Sequence, residues 1–138
     1  VGAYAAGKFA IRAFSETLRT ELDVEECGVS VTSIHPGMIK TTLLRDGRLD
    51  PSLLRDIGAA DQEEAHAQYT QKAFNTPEKV AESIIKGIKK NKMRVLVGFD
   101  AYLVDWATRL APVLFRRLAT TMLKIDKAKR QKTAAASA

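Results

Sequence analysis

From residue 8 to about residue 26 the chain has neither Gly nor Pro, and Ile11, Leu18 and Leu22 recur at near-helical spacing with Phe14 beside them. That pattern predicts a helix with one apolar stripe, closed by Gly28. Residues 29–34 read Val-Ser-Val-Thr-Ser-Ile, short and β-branched, and predict a strand that Pro36-Gly37 ends. From Met38 to Phe74 the periodicity weakens. Asp46-Gly47 and Asp50-Pro51 mark turns and Gly58 interrupts, so only short helices around Leu53 and Ala65 are predicted. Order returns at Thr76-Pro77-Glu78, where Thr76 can cap free amides, Pro77 suits the first helical position and Glu78 complements the positive helix end. Val80, Ile84 and Ile88 follow at intervals of four. Residues 94–98 predict a second strand, and Asp100 is placed to cap a last helix carrying Leu103, Trp106, Leu110, Leu114 and Leu118, which Pro112 should bend or divide.

Helix, strand, irregular excursion, helix, strand, helix is the alternation that builds an α/β fold with a parallel sheet and right-handed crossovers. Two strands are too few for a buried parallel sheet, because a central strand needs partners on both edges and cover on both faces. The pattern therefore describes about half of such a domain, residues 1–122, with residues 123–138 as a basic flexible tail and 43–75 as a lid region.

Composition narrows the class. Of 138 residues, 46% are hydrophobic and 28% charged, which suits a globular chain, and no apolar run approaches the roughly 20 residues that span a bilayer. A single cysteine, Cys27, offers no internal disulfide and fits a reducing, cytoplasmic setting. The net charge of +6 is local: from Arg116 onward seven basic residues face one acidic residue, and the preceding 15 basic and 15 acidic residues balance. That tail lacks interleaved aromatic residues, so nucleic acid is not an expected partner. Following Leu114 and Leu118, its charge instead suits an amphipathic helix, which gives peripheral membrane contact as one role for the C-terminal basic helix.

Two segments can carry chemistry. Tyr4 and Lys8 stand four apart, so on a helix they sit one above the other. An ammonium beside a phenol favours the phenolate, and such a phenol can donate a proton to a forming alkoxide or accept one from an alcohol. The same spacing arises by chance on many solvated helices. The second segment, His35-Pro36-Gly37-Met38-Ile39-Lys40-Thr41, follows the carboxyl end of a predicted parallel strand, where open sheets place ligands. Gly37 permits close backbone approach, and the hydroxyl of Thr41 can bond an amide or a phosphate. Taken alone, Pro-Gly is an ordinary turn.

Together the two segments resemble the second half of the nucleotide-binding domain of a short-chain dehydrogenase/reductase. Tyr4-Ala5-Ala6-Gly7-Lys8 matches that family's Tyr-x-x-x-Lys, and Pro36 to Thr41 matches its Pro-Gly-x-Ile-x-Thr. Residues 14–22 resemble its following helix, and residues 76–81 and 97–101 its last crossover helix and strand. The resemblance implies the C-terminal half of a Rossmann-type doubly wound parallel sheet and an oxidoreductase that interconverts an alcohol and a carbonyl with NAD or NADP. It implies Tyr4 as general acid/base, and Lys8 as the group that holds the nicotinamide ribose and assists the phenol. Ile39 and Thr41 would bind the carboxamide, Thr41 alternatively the diphosphate, with Pro36 and Gly37 shaping the loop. A homo-oligomer paired through the first helix is also implied.

One departure is small: Gly7 stands where many relatives carry Ser. A larger one is that the family's Gly-rich first turn and its catalytic Ser and Asn are not among these residues, so the chain by itself should be inactive. The competing reading is an inert truncated paralogue that serves as a protein- or membrane-interaction module. No metal site is expected. His35 lacks clustered partners, and Asp61, Glu63, Glu64 and His66 read as a solvated helix face. Leu43, Leu44, Leu53, Leu54, Ile57, Tyr69 and Phe74 either line an apolar substrate pocket or pack as ordinary core.

Overall fold

The computed structural model describes residues 2–136. It begins with helix α1 (Gly2–Glu25), followed by strand β1 (Ser33–Pro36) and three short helices, α2 (Leu43–Asp46), α3 (Pro51–Ile57) and α4 (Gln62–Lys72). Helix α5 (Pro77–Lys89) then leads into strand β2 (Arg94–Val97), α6 (Phe99–Leu110) and α7 (Pro112–Ala136). The fold is α/β, and β1 and β2 pair in parallel with Ser33 opposite Arg94 and Pro36 opposite Val97. This is part of a Rossmann-like sheet.

Helix α1 begins earlier than its apolar spacing predicts and turns a different face inward. Ile11 and Phe14 are exposed, whereas Leu18 and Leu22 are half-buried and Arg19 is buried. Arg19 explains the difference. Its guanidinium meets Asp23 one turn on, the Val31 carbonyl at 3.1 Å and Asn91 Oδ1 at 2.9 Å, and so ties α1 to the approach of β1 and to the turn before β2. A buried charge is tolerated only with such partners.

The first strand lies four residues later at its start than the β-branched run predicts, at 33–36 instead of 29–34. The Val31 carbonyl is taken by Arg19, so laddering starts where Ser33 N–H reaches the Met93 carbonyl at 2.9 Å. One bond follows the strand's end at Pro36, from the Gly37 amide to the Val97 carbonyl at 2.9 Å. Proline closes the strand at its end, a position that tolerates a missing N–H.

Helix α5 covers one face. Thr76 caps it by accepting from the Lys79 amide, and Pro77 occupies its first turn. Gly87 sits on the sheet side, where a Cβ would collide with the Val95 side chain. In the region 43–75 the buried apolar positions are Ala59, Ala65 and Ala73, while Leu43 and Phe74 are exposed. Asp61, Glu63 and Glu64 are exposed, as a solvated face requires, and two of them also serve the helix end: Asp61 accepts from the Glu64 amide at 2.8 Å and Glu64 accepts from the Ala60 amide at 2.7 Å, which caps α4 from both directions.

Pro112 divides the last helical stretch as expected, opening α7. That helix runs on through the stretch read as a tail, to Ala136; residues 137–138 lie outside the described residues. Among the described residues no helix is long and apolar enough to cross a membrane.

Candidate active site

Tyr4 and Lys8 lie on the amino-terminal half of α1, where the Lys8 ammonium stands over the phenol ring, 5.5 Å from its centroid. The phenol is 64% exposed. Both side chains line a cleft of about 410 Å³ that is shared with Arg12, Ser33, His35 and Pro36. The helix thus sets Tyr4 and Lys8 beside β1, whose residues from Ser33 to Pro36 all line the cleft.

His35 stands in that cleft as a structural group. Its Nε2 pairs with Ser33 Oγ at 2.9 Å. Burial depresses its pKa, and the nearby positive charges of Arg94 and Arg12 push in the same direction.

The other expected site residues follow Pro36 on loop 37–41, and they do not all reach the cleft. Gly37 lines a neighbouring groove of about 700 Å³ between α1 and α6. Ile39 and Thr41 lie further round the loop and line neither space. What shapes the loop is a set of hydrogen bonds from distant residues. The Met38 amide donates to Asp100 Oδ2 at 2.6 Å, and the Lys40 amide to the Asn75 carbonyl at 2.9 Å. Tyr69 Oη accepts from the Ile39 amide at 3.3 Å. Asp100 is therefore not the helix cap that its position suggests. Gly98, at φ +96°, occupies that place, and the carboxylate turns back to the loop. Burial alone would raise the pKa of Asp100, but the Met38 amide, the Asn75 side chain and the amides at 100 and 101 outweigh it and hold the carboxyl below its usual range.

The groove has its own ion network. Arg94 grips Asp105 through two nitrogens, at 2.6 and 3.2 Å, and Arg109 Nε approaches the same carboxylate at 3.0 Å. These bonds, that of Arg94 first, lower the Asp105 pKa to about 2.

Comparison with known proteins gives the same answer as the motif spacing. Residues 1–51 match the short chain dehydrogenase family. SadH of Mycobacterium tuberculosis, named as an oxidoreductase, is 35% identical over 84% of this chain. The chain belongs to the short-chain dehydrogenase/reductase family. YxnA of Bacillus subtilis, also named an oxidoreductase and uncharacterised, is 34% identical over 83% of the chain. Dehydrogenase/reductase SDR family member 7B of Xenopus tropicalis is 31% identical over 82%. The chain spans 40%, 29% and 33% of the length of these three relatives, respectively. No solved structure matches it.

Sequence reasoning missed Asn75 and Tyr69 as supports of the loop, and gave Asp100 a different task. Nothing local marks Asn75: it is an isolated amide before a helix cap. Its burial, 1% exposed, is visible only once β1 and β2 are side by side.

Proposed function

We propose that this chain carries the acid/base and nicotinamide-side part of an oxidoreductase that interconverts an alcohol and a carbonyl with NAD or NADP. The observation that carries the reading is the shared cleft: Tyr4 and Lys8 open onto the same space as Pro36 at the carboxyl end of a parallel strand. The bound nicotinamide would supply or accept the hydride. Tyr4 Oη gives a proton to the alkoxide as a carbonyl is reduced, and takes one from the alcohol in the reverse direction. Lys8, whose ammonium stands over the ring, would hold the ribose hydroxyls.

The loop fits the carboxamide better than a phosphate. The amides of Met38 and Lys40 are already used within the protein, so they cannot cradle an anion. Among the described residues the Thr41 hydroxyl and the Ile39 carbonyl make no hydrogen bond, and these are the groups that suit an amide acting as both donor and acceptor.

Residues 1–138 contain no Gly-rich strand-to-helix turn to receive a diphosphate. The activity is accordingly proposed for the full-length protein, and the segment alone is expected to be inert. Full-length protein and segment should be assayed side by side with NADH or NADPH and a panel of carbonyl compounds. Turnover is expected from the full-length protein only; turnover by residues 1–138 alone, or none by the longer protein, refutes the reading.

A further inference from the structure

We infer that Asn75 and Asp100 are positioning residues that set the shape of loop 37–41, and through it the affinity for the nicotinamide end of the cofactor. The inference rests on the reading of that loop given above. Asn75 is the one fully buried large side chain among the described residues, and it is polar, so its hydrogen bonds must be met inside the protein. They all lead to one place. Asn75 Nδ2 donates to the Met38 carbonyl at 3.1 Å and to Asp100 Oδ1 at 3.2 Å. The Asn75 amide reaches the same Met38 carbonyl at 3.3 Å, and the Asn75 carbonyl accepts from Lys40. Asp100 completes the ring through the Met38 amide.

The peptide groups on either side of Ile39 are thus held by Asn75, and the one before Met38 by Asp100, residues 37 and 62 positions beyond Met38 in sequence. Two glycines make room for this arrangement. A Cβ on Gly37 would collide with the Asp100 carboxylate, and one on Gly98 with the Asn75 amide. Neither Asn75 nor Asp100 lines the cleft that holds Tyr4 and Lys8; Asp100 lines the neighbouring groove, and the hydrogen bonds of both residues lead to the loop.

The test uses the full-length protein and its variants N75A, D100A and D100N. Cofactor dissociation constants are read by fluorescence, with kcat, both KM values and Tm alongside. N75A and D100A are expected to weaken cofactor binding by about tenfold or more. The carbonyl KM, and kcat at saturating cofactor, should stay within about threefold. D100N keeps one acceptor oxygen for the Met38 amide and should recover part of the affinity. Variants that melt lower yet bind cofactor like the unsubstituted protein overturn the inference, since the residues would then serve stability alone. Should N75A and D100A not fold, an unchanged dissociation constant for D100N overturns it equally. Failure of the unsubstituted protein to bind either NADH or NADPH overturns both this inference and the reading beneath it.

Discussion

The start of α1, which walls the cleft, and loop 37–41, which lies beyond it, are built in opposite ways. Loop 37–41 is held from within the chain by Asn75, Asp100 and Tyr69, and two glycines are shaped around it. The stretch of α1 that carries Tyr4 and Lys8 is exposed along its length, and among the described residues the contact between those two side chains is its one ring contact. One side depends on its exact surroundings and the other on residue type and spacing. Substitutions on the two sides should therefore separate, with chemistry lost on the helix and fold or affinity lost at the loop.

The largest separation is expected from Tyr4→Phe in the full-length protein. Removing a general acid/base lowers kcat by about 10²- to 10⁴-fold. An exposed side chain that loses one hydroxyl should leave stability within about 0.5 kcal/mol, and cofactor affinity should change little. Steady-state kinetics with a melting curve decide it, and full activity in the variant would break the comparison at its strongest point.

The converse is Gly37→Ala. The added Cβ meets the Asp100 carboxylate, and forcing extra volume into a filled site costs about 1–3 kcal/mol. The expected result is a lower Tm and weaker cofactor binding with kcat at saturation nearly intact. A variant as stable as the parent would show that Asp100 can move aside and that the loop is less tightly held than its hydrogen bonds indicate.

The same contrast explains what could be read from sequence. Tyr4, Lys8 and the Pro-Gly-x-Ile-x-Thr run stand out in sequence because local spacing defines them, and Thr76-Pro77 announces α5 through capping chemistry that needs no tertiary partner. The strand was misplaced because Arg19, a residue that reads as a solvated helix charge, claims the Val31 carbonyl. Asp100 was assigned to a cap because sequence shows its helix but not the loop 62 residues earlier that its carboxylate meets. Interactions that depend on β1 and β2 being neighbours leave no periodic trace.

A smaller effect is expected at the groove, where Arg94 and Arg109 hold Asp105. A carboxyl whose folded-state pKa is depressed stabilises the fold above its unfolded value, and that contribution is lost as pH falls through the folded value. With a pKa of about 2 against an ordinary 3.8, the contribution of Asp105 is complete above about pH 4 and disappears toward pH 2. Asp105→Asn should therefore melt below the parent at neutral pH, and the gap should close over that acidic interval. A gap of constant size would assign the loss to packing instead of charge.

The smallest effect is expected at His35, which belongs to both the cleft and the groove and so tests whether they are one electrostatic unit. Its pKa lies below the ordinary 6.5 because burial and the charges of Arg94 and Arg12 disfavour the imidazolium. As pH falls below about 6.5 the unfolded chain binds this proton more readily than the folded one, so stability declines with acidification and is greatest when the ring is neutral. His35→Gln keeps a polar group near Ser33 but cannot titrate. Its Tm should vary less than the parent's between about pH 7 and 5, with the two curves approaching at the upper end. Substituting Arg94 by Met in the parent should weaken the same slope, because it removes the larger of the two repelling charges. If the slope survives that change while His35→Gln abolishes it, burial and Arg12 set the imidazole without Arg94, and the ion network of the groove acts independently of the cleft.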